Sequence, residues 1–433
     1  MSIVVKDGNS VDRYYETSGG GTSTNPFKSV TEGSFSDSPN LDAFSRLRVS
    51  NPTSVFDAQL TYDLQPTLFE QITDGIPATI THNSTDRCAL LSFSGAGDHN
   101  CIMQTFEHFR YQPLKSQLVA ITFNFIESYT NVVKFAGYSD GSNGFEFRND
   151  GTNNSFNILS DSGAGDKSIT QDNWNLDKLD GTGKSGITLD ITKTQILILD
   201  FQALYVGRVR MGFDIDGSIV YAHEFLNANI ESSPYIQTAN LPIRVGMTSS
   251  GLDGTSNTTM KYICSAVASE GGQELTASYD FVTFNNVTAG SGTDTHLLSL
   301  RPRATFNSIT NRAKIGFIEV EFLVTGTNPV QWKLVLGQTL TTPSYADINT
   351  TYSTIERDIA GTLSGTPSIV INSGYIAASN QVKGAVSSKV ASRYPITLDA
   401  SGTARPLGTL TLLVQGIGGT SDVRGAIKWR EVR

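Results

Sequence analysis

The sequence has few of the residues on which most metal and catalytic sites depend. Its 433 residues include three cysteines and five histidines, and charged residues make up 17%. Cys88, Cys101 and Cys264 show no CxxC or Cys/His spacing, which argues against structural zinc. Because the number is odd, at least one thiol stays free in the monomer, as is typical of a protein that folds in a reducing cytoplasm.

Positive charge and long apolar runs are also scarce. The net charge is −9 and no block of Lys or Arg occurs, which argues against a nucleic-acid-binding surface. The first ten residues lack the basic and apolar regions of a signal peptide. The most apolar run, "ILILDFQALYVG", is short and contains Asp200, so we expect no membrane insertion.

Glycine and short polar residues take the place of the missing charges. The chain has 40 glycines, and Ser, Thr and Asn are abundant. Short polar side chains compete with helical backbone hydrogen bonds, so this composition favours turns and strands. The length is typical of two or three domains.

Three zones follow along the chain. Residues 1–55 are rich in Gly, Ser, Thr and Asn and predict an extended N-terminal arm that cannot bury enough apolar area to fold alone. Residues 56–270 contain alternating strand patterns, and "VGRVRMGFDIDGSIVYAHEF" predicts a hairpin that turns at Asp216-Gly217. Residues 271–433 continue the strand pattern to the end of the sequence, after a candidate linker at 268–274.

We therefore predict an all-β protein with a large antiparallel, jelly-roll-like β-sandwich and a second, C-terminal β domain. The one helical hint is the short segment "YSTIERDI", residues 352–359.

Two segments imitate ligand-binding motifs. "DGTGKSG" contains the core of a P-loop but lacks its first glycine and precedes β-branched residues instead of a helix. "FDIDG" lacks later ligands of an EF-hand loop. We expect no cofactor and no metal, although Asp172, Asp177 and Asp180 leave calcium between loops as an open alternative.

We also expect that the chain is not an enzyme. It has no G-x-S-x-G elbow, and none of its histidines lies in a recognisable nucleophile setting. A glycosidase requires two carboxylates across a sugar, and sequence spacing cannot reveal such a pair in a β-sandwich.

A polar loop offers candidate sugar-binding residues. Trp174 is accompanied by Asn175 and Asp177, a combination that can stack on a sugar and hydrogen-bond to its hydroxyls. The alternative is that Trp174 only fixes the loop under the sandwich.

The stretch "DAFSRLRVSNPTSVFD", residues 42–57, predicts an anchor to another protein. In an extended chain, Phe44, Arg46 and Arg48 would lie on one side and Leu47 and Val49 on the other. The apolar side would enter a groove or join a sheet edge, the arginines would reach carboxylates, and Pro52 would end the pairing. The alternative is that this stretch is the first strand of the chain's own sandwich. The candidate anchor residues are Asp42, Phe44, Arg46, Leu47, Arg48, Val49 and Phe56.

This stretch resembles a segment near the N-terminus of tailed-bacteriophage virion proteins, usually D-A-F-G-R-L-R-V-S followed by a polar-Pro pair. Position 45 is serine here where glycine is usual. The middle segments "WNLDKLDGTGKSGITLD", "YAHEFLNAN" and "YIQTANLPIRV" are similar to the same proteins, which often carry a lectin-like sandwich there.

The resemblance implies a structural protein of the virion, made in the host cytoplasm, that is a fibre, spike or capsid decoration subunit. It implies attachment to capsid, neck or tail proteins through the arm. It also implies a homotrimer, which the exposed sheet edges expected of such a fold would support. The alternative function is a host-adhesion module whose sandwich binds surface glycans.

Overall fold

The structure is a computed structural model. It describes residues 3–6, 12–15, 41–48, 52–74, 77–202, 205–238, 240–252, 257–272, 278–365, 369–378, 386–389 and 396–433. The described residues contain no α-helix and no helix long and apolar enough to cross a membrane. The all-β prediction is confirmed. The candidate sugar-binding residues and the candidate anchor residues lie in the described part, except for Val49, which lies outside it.

Within the predicted arm, two short strands pair antiparallel. They are β1 Ile3–Lys6 and β2 Asp12–Tyr15.

The next strands all belong to one β-sandwich or to a small ribbon beside it. They are β3 Thr53–Gln59, β4 Phe69–Asp74, β5 Ala78–Asn83, β6 Cys88–Ser94, β7 Gly97–Thr105, β8 Phe109–Arg110, β9 Ser116–Asn124, β10 Val132–Ser139, β11 Gly144–Asn149, β12 Asn154–Leu159, β13 Lys167–Thr170, β14 Gln195–Phe201, β15 Val209–Ile215, β16 Ser218–Phe225, β17 Asn240–Leu241, β18 Ile243–Leu252 and β19 Asn257–Glu270.

Two antiparallel sheets form the sandwich. The first has the order β13-β12-β11-β10-β18-β7-β4, and the second β16-β15-β14-β9-β19-β6-β5, with β3 also paired to β19. Alternate residues of both sheets point inward, as the period of a strand requires, and form one apolar core rich in phenylalanine. The predicted hairpin is confirmed: β15 and β16 are joined at Asp216 and Gly217, which both have positive φ (53° and 81°).

The remaining strands follow the segment 268–274. They are β20 Ser278–Ala289, β21 Thr295–Pro302, β22 Thr305–Phe306, β23 Ile309–Thr310, β24 Lys314–Val324, β25 Val330–Leu336, β26 Thr339–Thr341, β27 Ala346–Asp347, β28 Ile355–Asp358, β29 Thr362–Ser364, β30 Ile369–Ile376, β31 Val386–Lys389, β32 Leu410–Gly416 and β33 Ser421–Val432.

These strands enclose a second apolar core, which includes Trp332 and Trp429 and shares no residue with the first. The main sheets have the orders β20-β33-β24-β31 and β27-β28-β21-β32-β25-β30. The helical hint at 352–359 is wrong, because Ile355–Asp358 forms β28 and pairs with β21 and β27. Pairing with two neighbours outweighs a weak local helix preference. Two single 3₁₀ turns, Gln171–Asn173 and Pro406–Gly408, complete the described elements.

Candidate functional site

Residues 41–48 form a closed turn, which we call the anchor turn, instead of the predicted extended strand. Leu41 and Leu47 form an isolated antiparallel bridge that closes it. The Asp42 carboxylate accepts hydrogen bonds from the backbone N–H groups of Phe44 and Arg46, both at 2.9 Å. Its second oxygen accepts one from Arg46 Nε at 2.7 Å. The prediction that side chains alternate across "FSRLRVS" is therefore wrong, because local hydrogen bonds to one aspartate bend the backbone.

Ser45 lies at the apex of the anchor turn with φ of 62°, in the left-handed region. Its backbone N–H donates to Asp42 O at 2.9 Å. Glycine adopts this conformation without a steric penalty, which gives a physical reason for glycine at the corresponding place in the resembled motif. Serine at position 45 keeps the turn and carries that penalty.

The anchor turn packs on the outer face of the second sheet through a group of polar residues that we call the seat. Asp200 lies between the core residues Leu199 and Phe201 on β14, so its side chain points away from the core. It is nevertheless fully buried, because the turn covers it. The seat consists of Ser116, Asp200, Arg210, Tyr221 and Glu270.

Charged hydrogen bonds join the turn to the seat. Arg48 donates to Asp200 at 2.7 Å and to Glu270 at 2.5 Å. The Asp200 carboxylate also accepts from Arg210 at 2.5 Å and from the Tyr221 hydroxyl at 2.6 Å. Burial alone would lower the pKa of Arg48, but the Asp200 carboxylate and the hydrogen-bonded Glu270 carboxylate outweigh burial and raise it. Arg48 is therefore a permanent cation inside this network.

Backbone groups of the turn are held as well. Arg210 donates to the carbonyl of Leu41 at 2.8 Å, and Arg208 donates to that of Ala43 at 3.2 Å. The N–H of Ala43 donates to Ser116 Oγ at 3.2 Å. Side chain and backbone contacts together fix the turn on the sandwich.

Three of the seven predicted anchor residues are held by contacts within the chain. Asp42 closes the turn, Arg48 binds the seat, and Phe56 packs against Phe109 with ring centroids 4.7 Å apart. The alternative that this stretch begins the chain's own sandwich describes β3, which pairs with β19. Arg46, whose side chain is 50% exposed, and Leu47, which is 49% exposed, face outward beside a cavity of about 200 Å³.

The prediction that Trp174 stacks on a sugar is wrong, because the side chain is buried and only 3% exposed. Its ring stacks on Phe156 at 4.4 Å between centroids, and its Nε1 donates to Ile169 O. A ring inside the core cannot present a face to a sugar, so Trp174 is the loop anchor of the alternative prediction.

The neighbours of Trp174 organise the same loop. Asn175 is exposed and exchanges hydrogen bonds with the backbone of Glu224, at 3.0 Å and 2.9 Å. Asp177 is buried and accepts from the N–H groups of Leu179 and Ser185. No group of three or more side chains suited to hold a metal ion occurs in the described ranges.

A second site lies where the two cores meet. This junction cleft has a volume of about 590 Å³, within the usual range for ligand pockets. The sandwich contributes residues of β3 and of the segment 107–108, and the C-terminal strands contribute 312–316 and 396–397. No sequence pattern pointed to it, because its walls are separated by more than 200 residues.

Charged contacts across the junction hold the walls of the cleft. Lys314 Nζ lies 2.6 Å from Glu107 Oε1. The Arg405 guanidinium lies 3.6 Å from the ring centroid of Phe106, and the N–H of Ala400 donates to Glu70 at 2.7 Å. Burial raises the pKa of Glu70, although that hydrogen bond opposes the rise.

Two buried polar atoms of the cleft stand out. His108, 4% exposed, and Thr397 both line it. His108 Nε2 and Thr397 Oγ1 have no hydrogen-bond partner among the described residues. Such groups are rare in folded proteins and need an explanation.

No protein-family model and no curated protein matches the sequence. Solved structures do match. A β-glucanase from Bacillus licheniformis is 14% identical and matches over 52% of this chain and 100% of its own, with a TM-score of 0.31. A family 16 glycosyl hydrolase from Mycobacterium smegmatis is 10% identical over 50% and 100%, with a TM-score of 0.32. The receptor-binding domain of botulinum neurotoxin type G is 8% identical over 69% and 64%, with a TM-score of 0.29.

These matches correct one prediction. The expectation that the chain is not an enzyme is contradicted, because two of the three proteins above are, by name, a glucanase and a glycosyl hydrolase. That expectation is not maintained. The matches assign no substrate and no reaction to this chain.

Proposed function

We propose that this chain is an exterior structural protein of a virus particle, attached through the segment that precedes residue 41. The anchor turn carries this proposal. Its contacts to Asp200, Glu270 and Arg210 hold residues 41–48 at one fixed point of the sandwich, to which the arm is joined. A protein that is held to a particle by an arm transmits force through that point, and a buried ionic network resists opening there.

The resemblance of residues 42–57 to tailed-phage virion proteins supports the same role. The geometry favours a different set of attaching residues from the one predicted. Because Asp42, Arg48 and Phe56 make contacts within the chain, the proposed contacts with another virion protein are residues before 41 and the exposed side chains of Arg46 and Leu47.

Two deletions test whether residues 1–40 attach the protein and residues 41–48 stabilise its fold. Removing residues 1–40 leaves the turn on its seat, so we expect a folded protein that no longer incorporates into particles. Removing residues 1–48 uncovers Asp200 and Arg210 and should lower the melting temperature as well. Incorporation is measured on purified particles assembled with each variant as the sole copy. Normal incorporation of the first variant would refute attachment through the arm.

A homotrimer remains part of the proposal. β20 is an edge strand of its sheet and presents Val282, 51% exposed, and Phe284, 72% exposed, on one face. An exposed edge with apolar side chains is suited to self-association. Light scattering of wild type and of Phe284→Ser tests this, with a trimer expected only for wild type. A wild-type monomer at micromolar concentration would refute the homotrimer.

The junction cleft supports carbohydrate recognition as a second function of the same chain. Its buried polar atoms without partners are what a site for a hydroxyl-rich ligand requires. Binding of the purified protein to a glycan array tests this function, and absence of any binding would reject it.

A further inference from the structure

The junction cleft contains a histidine whose free nitrogen is a hydrogen-bond acceptor. His108 Nδ1 lies 3.3 Å from the carbonyl oxygen of Phe106. A carbonyl can only accept, so the ring proton is on Nδ1 and Nε2 carries a lone pair. Burial, together with the nearby Arg312 charge, lowers the pKa of His108 to about 3, so the ring is neutral at physiological pH.

The hydroxyl of Thr397 is the second group without a partner. A buried polar atom without a hydrogen bond costs about 1–3 kcal/mol, and a hydroxyl can both donate and accept. His108 lies in the sandwich part of the chain and Thr397 in the C-terminal part, so only the assembled junction brings them to one cleft. Both atoms have almost no accessible surface in this structure, so a ligand that carries hydroxyl groups would satisfy them once the two side chains turn toward the cleft.

The charges of the cleft leave little for an ionic ligand. Its lining contains two cations, Arg312 and Lys314, and two carboxylates, Asp57 and Glu107. Lys314 is paired with Glu107 at 2.6 Å. Arg312 donates to the backbone carbonyls of residues 399 and 400, at 2.7 Å and 2.9 Å. The balance favours a neutral ligand over an anion such as a sulfated or acidic glycan.

Apolar side chains complete the lining. Phe56 is half-buried, and Leu68 and Ile396 lie in the same cleft. A sugar ring has an apolar C–H face and hydroxyl edges, and aromatic and aliphatic groups pack against the former. We propose that the junction cleft binds a neutral saccharide, with one hydroxyl donating to His108 Nε2 and another bonded to Thr397 Oγ1. This rests on the proposed carbohydrate recognition and gives it a place and a ligand class.

The full-length protein is tested first on an array of neutral and anionic glycans. Neutral gluco-, galacto- and manno-oligosaccharides of two to four residues are then titrated calorimetrically into wild type and variants. Thr397→Val removes the hydroxyl at nearly constant shape and should weaken binding at least tenfold. Because it removes a buried unpartnered group, the melting temperature should stay constant or rise. Thr81→Val makes the same change at an exposed position of β5 and is the matched control.

A second variant protects the test from a folding failure. His108→Gln keeps an acceptor near Nε2 and should retain more affinity than His108→Phe. Three results would overturn the inference: only anionic glycans bind, Thr397→Val binds neutral glycans like wild type, or no glycan binds. The second result leaves carbohydrate recognition standing at another place, whereas the third rejects that function as well. None of them bears on attachment to a particle.

Discussion

The seat and the junction cleft both bury polar side chains, but they satisfy them differently. In the seat, Asp200 accepts hydrogen bonds from Arg48, Arg210 and Tyr221. In the cleft, His108 Nε2 and Thr397 Oγ1 have no partner within the described residues. A buried carboxylate with three donors stabilises and orients the segment that it holds, whereas buried groups without a partner reduce stability unless something binds. The difference separates a structural site from a candidate ligand site.

The largest expected effect comes from breaking the seat. Asp200→Ala leaves Arg210 and Arg48 buried without their shared carboxylate, which should lower the free energy of unfolding by about 3–5 kcal/mol. Urea denaturation measures it. Asp86→Ala removes an exposed partner of Lys261 and should cost less than about 1 kcal/mol. Equal losses for the two variants would mean that the seat is no more important than a surface pair.

An apolar control asks whether burial alone gives the same result. Trp174→Ala removes a ring packed on Phe156 and should cost about 3 kcal/mol through the cavity it leaves. Glycan binding by the folded variant should be unchanged, since Trp174 lies outside the junction cleft. Loss of glycan binding at constant melting temperature would restore Trp174 as a sugar-binding residue.

Acid should separate the two regions further. His108 has a folded-state pKa of about 3, below its unfolded value near 6.5, so the unfolded state binds the proton more tightly. Its contribution to stability is complete above pH 6.5 and is lost as the pH falls, by about 1.4 kcal/mol per pH unit. His223, with a pKa lowered to about 4 by burial, acts in the same direction.

Urea denaturation of wild type and His108→Gln at pH 7.0, 6.0 and 5.0 measures the contribution of His108 to the free energy of unfolding. The variant should lose less stability than wild type over that interval. An identical decline in both proteins would show that His108 is not held neutral in the cleft.

The smallest effect is expected at the apex of the anchor turn. Ser45→Gly relieves the positive φ and removes an exposed side chain, so the free energy of unfolding should rise by about 0.5–1 kcal/mol. Glycine at the exposed Ser84 provides a comparison in which no gain is expected. A loss of stability in Ser45→Gly would mean that the serine side chain supports the turn.

Strands and the hairpin were predictable because the period of two is a local property of the sequence. The alternation of residues 118 to 125 corresponds to β9, Ser116–Asn124, and Asp216-Gly217 marks the turn between β15 and β16. The seat was not predictable, because Arg48 is 152 residues from Asp200 and 222 residues from Glu270. No local pattern reports such a contact.

The wrong prediction that Trp174 binds a sugar has a different cause. A tryptophan between asparagines has the same local composition whether its ring faces solvent or the core. Only the position of Phe156, on β12, decides between the two. The anchor turn was wrongly predicted as an extended chain for a related reason. The Asp42 side chain accepts the backbone hydrogen bonds of Phe44 and Arg46, which an extended strand would make to a neighbouring strand.

The position of β33 in its sheet has a consequence for the order of folding during synthesis. β33 is paired along its length with β20 on one side and β24 on the other. Both neighbours leave the ribosome about 100 or more residues earlier, which corresponds to roughly 5–30 s of translation. During that interval each of them lacks its partner, whereas every strand of the sandwich sheets has already been made. The sandwich should therefore fold first, and the C-terminal sheet should be completed only when residues 421–432 pair with β20 and β24.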